Sequence, residues 1–150
     1  QINMDNFFSI LRSTHYFVMI ALLIFLLFTI GKFAFKKIGN EPFGEMEDKT
    51  TLLVMIVSHI QLIIGLVLLT VGPMSHHFSD MGTAMKDSTI RLMVVEHPMA
   101  MILGVIMITI GRIAMKKKPT DSSKFKTVII FFSIALVLFL IRIPWNHLNG

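Results

Sequence analysis

The chain has 150 residues, is 54% hydrophobic and only 15% charged, and has a formal net charge of +5. This composition excludes an ordinary soluble domain, in which about 25% of residues are charged. It contains no cysteine, which excludes disulfides, iron–sulfur clusters and thiolate metal sites. The composition therefore predicts an integral membrane protein. Since the first residue is Gln1, we expect a processed or truncated start.

Four apolar segments follow one another along the chain. We predict an all-α, integral membrane four-helix bundle that forms a single domain over 1–150, with transmembrane helices over about 14–35, 50–72, 89–115 and 125–144. A helix needs about 20 residues to cross ~30 Å of hydrocarbon at 1.5 Å per residue. The segments have this length and lack the alternation of membrane strands, which favours helices.

Basic residues flank the first and third connections between these helices. They are Lys32, Lys36, Lys37 and Lys49 at the first, and Arg112, Lys116, Lys117, Lys118, Lys124 and Lys126 at the third. The positive-inside rule places both connections in the cytoplasm, so both termini face the outer, non-cytoplasmic side. We therefore expect a multi-pass protein of the bacterial inner membrane, with lipid rather than nucleic acid as the partner of the lysines. The acidic segment 40–49 is predicted to be a solvated turn.

A short repeat relates the two halves of the chain. Residues 29–37 are TIGKFAFKK and residues 109–117 are TIGRIAMKK. One interpretation is a pair of repeated helical hairpins in the same orientation. The alternative is shared helix-end chemistry, because glycine and basic residues are both favoured at helix C-termini. On either interpretation, the repeat marks the cytoplasmic end of a helix.

Three histidines fall within predicted transmembrane helices. His15, His59 and His97 are candidates for function, because an ionisable residue in a membrane helix is costly and usually faces the bundle interior. The alternative for each is a hydrogen bond to a neighbouring helix. We assign ordinary interfacial roles to the other three, which are His76, His77 and His147.

The residues around these histidines suggest two kinds of helix face. In the third helix, His97 shares a face with Ala100, Gly104 and Gly111, which is consistent with a cofactor slot or with close helix packing. Pro98 is expected to kink this helix.

The second helix has a small and polar stripe that is separate from the face of His59. The stripe contains Ser58, Gln61, Gly65 and Gly72. The histidine and the tight-packing face of this helix are therefore distinct features.

Haem b suits neutral imidazoles in an apolar bundle without cysteine. Its iron takes axial histidines, its macrocycle requires an apolar slot, and its propionates favour arginines or the membrane interface. Arg91 and Arg142 lie near the outer helix ends and are candidates for the propionates, with contact to lipid headgroups as the alternative. Glu96 either accepts from an imidazole N–H or pairs with one of these arginines.

Three segments resemble a family of small four-helix bacterial membrane proteins known as cytochrome B or cytochrome b-like. They are SHIQLIIGLVL, RLMVVEHPMAMILGVIMITIGR and TDSSKFKTVIIFFSIALVLFLIRIPW, in the second, third and fourth helices. The resemblance implies haem-linked electron transfer, with His59 and His97 at the matching positions. The first helix departs from the family pattern, which has a histidine before the serine where this chain has Arg12.

Depth in the membrane gives a second criterion for pairing the histidines. His15 precedes Thr29 by about as many residues as His97 precedes Thr109, so these two histidines are expected at one level. His59 is expected closer to the cytoplasm. We predict His59 and His97 as the leading pair of iron ligands, with His15 as the alternative partner.

The predicted function is a haem b-binding protein that transfers electrons in or beside a respiratory or quinol-linked complex. An electron carrier or redox subunit is favoured over a stand-alone enzyme, with quinone and other membrane subunits as expected partners. One alternative is a non-catalytic accessory or scaffold subunit of a larger membrane complex. Another is a proton pathway or a copper site, since Met93 and Met101 lie one turn on either side of His97.

Overall fold

Four long helices account for most of residues 3–145, the part of the chain that the computed structural model describes. They are α1 (Met4–Ile38), α2 (Glu45–Val71), α3 (Ser88–Lys116) and α4 (Asp121–Arg142). Each is long and apolar enough to cross a membrane, and residues 3–145 contain no strand. The predicted all-α architecture with four helices of membrane-spanning length is confirmed.

The helices form a ring in which each contacts the next along the chain and α1 also contacts α4. The connections 39–44 and 117–120 are short, so they join antiparallel neighbours at one end of the bundle, here called the basic end. The start of α1, the end of α4 and the connection 72–87 lie at the opposite end, here called the termini end. Large apolar side chains fill the centre, among them Leu26, Phe33, Ile108, Phe125 and Phe132.

The first helix begins well before the predicted start at residue 14. The Asn3 side chain caps it by accepting from the Asp5 N–H at 3.0 Å. A helix of 35 residues is about 52 Å long, which exceeds the ~30 Å of hydrocarbon. Its first turns, which expose Phe7 and Ile10, therefore add length beyond what a single crossing requires. Hydropathy locates only the part of this helix that lies in lipid.

The third helix changes its hydrogen-bond pattern just before Pro98. Residues Leu92–Glu96 form a π turn, in which the N–H of His97 donates to the Leu92 carbonyl. Pro98 has no N–H for the Val94 carbonyl and would crowd it in a regular helix. The wider turn relieves both problems. The kink predicted at Pro98 thus takes the form of a π turn.

Two glycines of α3 allow α4 to approach closely. A Cβ atom added at Gly104 would lie 2.2 Å from Cε1 of Phe139, and one added at Gly111 would lie 2.5 Å from Cβ of Phe131. Phenylalanine side chains of α4 therefore lie directly against this face of α3. Of the two interpretations of the small-residue face, close helix packing describes these two glycines.

Buried ion pairs connect the helices at the basic end. Glu47 is 3% exposed and accepts from Lys36 at 2.8 Å, while Arg112 is 5% exposed and donates to the Asp48 carboxylate at 3.1 Å. The prediction that segment 40–49 is a solvated turn holds for residues 40–44, most of which are exposed, but residues 45–49 are helical and include buried Glu47. Its second half is the first turn of α2, where carboxylates neutralise cations from α1 and α3. Hydropathy did not indicate that these cations face the bundle.

Candidate functional site

A cavity of about 350 Å³ lies between the helices near the termini end. Side chains from all four helices contribute to its walls, which are mainly apolar and include Leu22, Leu62, Met101, Val105 and Phe139. A few polar side chains converge on it, among them His15, Gln61 and His97. An apolar cavity with a small number of convergent polar groups is the usual form of a ligand site.

His15 of α1 and His97 of α3 face each other at this cavity. Their ring centroids are 6.4 Å apart and their ring planes are inclined by 81°. Both side chains are partly buried. The two helices are not consecutive in the chain, so the pair lies across the bundle.

The ring of His97 is fixed by the end of α4. Its Nδ1 donates to the Arg142 carbonyl oxygen at 2.9 Å. This carbonyl is available to accept because α4 ends at Arg142 and Ile143 is extended. Since Nδ1 carries the proton, the lone pair of neutral His97 is on Nε2.

The ring of His15 lies against α2 at Gly65. A Cβ atom at Gly65 would be 3.0 Å from Cε1 of His15, so the glycine makes room for the imidazole. The neighbouring Gln61 donates through Nε2 to the His15 backbone carbonyl at 2.8 Å. Nδ1 of His15 and Oε1 of Gln61 are both buried and have no hydrogen-bond partner among the described residues.

The structure places His59 on the outer surface of α2. Its side chain is exposed, and Nδ1 donates to the Met55 carbonyl of its own helix at 2.8 Å. The small and polar stripe of α2 faces inward instead, with Ser58 and Gln61 buried. The structure therefore brings His15, and not His59, to His97. The separation of stripe and histidine seen in the sequence was the signal for this orientation.

The two arginines proposed for the propionates both pair with Glu96. Oε1 of Glu96 accepts from Nε of Arg91 at 2.9 Å, and its Oε2 lies 3.6 Å from Nη1 of Arg142. These ion pairs match the second interpretation of Glu96. Among the described residues that line the cavity, the one arginine is Arg12, and no carboxylate is present. Arg12 was not predicted as a site residue, although it lies one helical turn before His15.

The remaining histidines lie away from this cavity or outside the described residues. His76 and His77 belong to the connection 72–87, where their ring centroids are 3.9 Å apart, and neither lines the cavity. His147 lies outside the described residues. Within residues 3–145, no cluster of three or more His, Cys, Asp or Glu side chains is placed to hold a metal ion. The facing histidines therefore provide two protein ligands at most from this set.

Comparison with known proteins adds no identification. No family model matches the chain, and neither a curated protein nor a solved structure matches it. The cavity and its side chains are therefore the basis for assigning a function.

Proposed function

We propose that the protein binds haem b between His15 and His97 and transfers electrons within the membrane. The observation that carries the proposal is the facing pair of imidazoles, with ring centroids 6.4 Å apart across an apolar cavity. Two imidazoles that bind one metal from opposite sides have centroids about 6 Å apart, because each ligating nitrogen lies about 2 Å from the metal. The spacing thus suits one metal ion between the rings.

The hydrogen bonds of His97 also fit this group, and the cavity has the size of a site for an organic ligand. His97 donates through Nδ1 to a backbone carbonyl, the arrangement that orients most metal-binding histidines and leaves Nε2 as the ligand. A cavity of about 350 Å³ falls within the range of about 300–1,000 Å³ for organic ligands. It is far larger than a bare ion requires.

The residues of the chain would hold the group in three ways. His15 and His97 would bind the iron, the apolar walls would exclude water, and Arg12 would neutralise an acidic substituent of the ligand. Iron with two imidazole ligands supplies one-electron oxidation and reduction. Because Glu96 already pairs with Arg91 and Arg142, Arg12 takes the place of those two arginines in the proposal.

The setting of this function follows from the sequence analysis. The resemblance to cytochrome B and the apolar helices support a redox role in the bacterial inner membrane, with both termini on the outer side. A membrane-soluble quinone and larger redox subunits are the proposed electron partners. The chain itself would be a carrier or subunit, and not a stand-alone enzyme.

The test is the visible spectrum of the purified protein with and without each histidine. Dithionite should sharpen the Soret band and produce the split visible bands of six-coordinate haem b. His15→Ala and His97→Ala should each lose haem or convert it to high spin, because each removes one of the two histidines that would bind the iron. His59→Ala is the matched control and should leave the spectrum unchanged, since this histidine faces outward.

Three outcomes would overturn the proposal in different ways. Loss of the low-spin spectrum in His59→Ala but not in His15→Ala would restore the pair of His59 and His97. An unaltered low-spin haem in all three variants would mean that none of these histidines is required as a ligand. A folded, colourless preparation without haem or metal would favour the accessory or scaffold role.

A soft metal ion is the second candidate for the same cavity. Met19, Met93 and Met101 line it together with the two histidines, and thioether and imidazole groups suit Cu(I). Elemental analysis distinguishes the two candidates, because the haem protein contains iron in a one-to-one ratio with porphyrin. Copper without porphyrin would instead establish the metal site.

A further inference from the structure

Two polar atoms at the cavity lack the hydrogen bonds that buried groups normally make. They are Nδ1 of His15 and Oε1 of Gln61, and neither has a partner among the described residues. Gln61 is only 9% exposed, so water does not readily replace a protein partner for its amide oxygen. Both atoms belong to residues that already contact each other, since Gln61 Nε2 donates to the His15 carbonyl at 2.8 Å.

The chemistry of the two atoms is complementary. An amide oxygen only accepts hydrogen bonds, so Oε1 of Gln61 requires a donor. A neutral histidine that binds a metal through Nε2 carries its proton on Nδ1 and is therefore a donor at that atom. His97 already shows this arrangement, with Nδ1 donating to the Arg142 carbonyl. His15 lacks only the corresponding acceptor.

We propose that Gln61 is the positioning residue of His15, accepting a hydrogen bond from its Nδ1–H when the iron site is formed. This inference rests on the proposed function and assigns a role that the haem proposal itself does not require. The hydrogen bond from Nε2 holds the amide of Gln61 beside His15. Rotation of the imidazole about its Cβ–Cγ bond reorients Nδ1 relative to this amide. Gln61 thereby fixes the tautomer and directs Nε2 towards the cavity.

The test compares substitutions at Gln61 with a neighbouring control on the same helix. Gln61→Leu removes the acceptor at similar size, whereas Gln61→Glu retains an acceptor and strengthens it. His59→Ala is the control, because His59 lies on the same helix but is exposed, does not line the cavity and bonds to the Met55 carbonyl of its own helix. Haem affinity and midpoint potential are measured for each variant, and circular dichroism of the haem-free protein verifies folding.

We expect Gln61→Leu to weaken haem binding about 10- to 100-fold, the usual loss when the acceptor of a metal-binding histidine is removed. Its midpoint potential should rise, because the acceptor makes the imidazole a stronger donor to oxidised iron. Gln61→Glu should recover affinity and lower the potential below that of the wild-type protein. His59→Ala should change neither haem affinity nor midpoint potential. If the leucine variant fails to fold, the test is the midpoint potential of Gln61→Glu. A potential below that of the wild-type protein supports the inference, and an equal potential overturns it.

The outcomes separate this inference from the haem proposal. Absence of haem from the wild-type protein would overturn the proposed function. Normal haem binding with equal affinity and potential in Gln61→Leu and His59→Ala would overturn the role of Gln61 alone. A third outcome is weaker haem binding in Gln61→Leu with an unchanged midpoint potential and no recovery of affinity in Gln61→Glu. This outcome would show a purely structural role for Gln61 and would also overturn the inference.

Discussion

Replacing Gly111 by alanine should destabilise the bundle, whereas the same change at Gly31 should not. The two glycines occupy the same place in the repeated TIGK and TIGR segments. A Cβ atom at position 111 would lie 2.5 Å from Cβ of Phe131, while one at position 31 would have no heavy atom within 4 Å beyond its chain neighbours and the backbone of its own helix. Gly31→Ala is therefore a control in which the local sequence is matched and the contact is absent.

The expected magnitude comes from the rigidity of the atom that Gly111→Ala meets. Cβ of Phe131 is attached to the backbone of α4, so a change of side-chain rotamer cannot move it away. Overpacking of this kind typically costs about 1–3 kcal/mol. Alanine also gains about 1 kcal/mol over glycine in helix propensity, but this gain is common to both variants and cancels in their difference. The two free energies of unfolding should therefore differ by about 1–3 kcal/mol.

Unfolding in mixed micelles of increasing SDS fraction, followed by far-ultraviolet circular dichroism, measures this difference. The Gly31→Ala protein should be as stable as the wild type or slightly more stable. If the two variants have the same free energy of unfolding within about 0.5 kcal/mol, α3 and α4 do not approach as closely as described and the reasoning fails.

Two further predictions concern the ends of the bundle. A cysteine in place of His77 should react with an impermeant maleimide in intact cells, and one in place of Asp121 should react only after permeabilisation, because the proposed topology places the basic end in the cytoplasm. Labelling of position 121 in intact cells would contradict this topology. Asp48→Asn should lower the free energy of unfolding by about 2 kcal/mol, because it removes the charged partner of buried Arg112. The same unfolding assay should show no measurable change for Glu45→Gln, because the ion pair of Glu45 is exposed. Equal losses of unfolding free energy in the two variants would contradict the stabilising role of the pair between Asp48 and Arg112.

The number and type of helices could be predicted from the sequence because bilayer thickness fixes the length of an apolar span. The rotation of each helix about its axis was harder to predict, since apolar side chains surround a membrane helix on all sides and give little contrast between faces. For α2, the polar Ser58 and Gln61 were the informative residues, because polar groups in membrane helices face the interior. The leading pair of His59 and His97 followed instead from the resemblance to cytochrome B, which carries no information about the rotation of α2.

The alternative pair was accessible from the sequence because depth along a helix depends only on residue count. His15 and His97 were expected at one level on this basis, and their rings do face each other. The hydrogen bonds around them were not predictable. The acceptor of His97 is a backbone carbonyl, and it becomes free only because of where α4 ends. Such contacts depend on tertiary structure and leave no mark in the spacing of side chains.

The π turn at Leu92–Glu96 affects how this chain should be aligned with related sequences. A π turn contains one residue more than the α turn that it replaces. A relative with an uninterrupted third helix would therefore have one residue fewer between Arg91 and Pro98. Without a gap, every position before Leu92 would be misaligned by one residue, or about 100° around the helix. A single-residue gap within 92–96 keeps equivalent helix faces aligned.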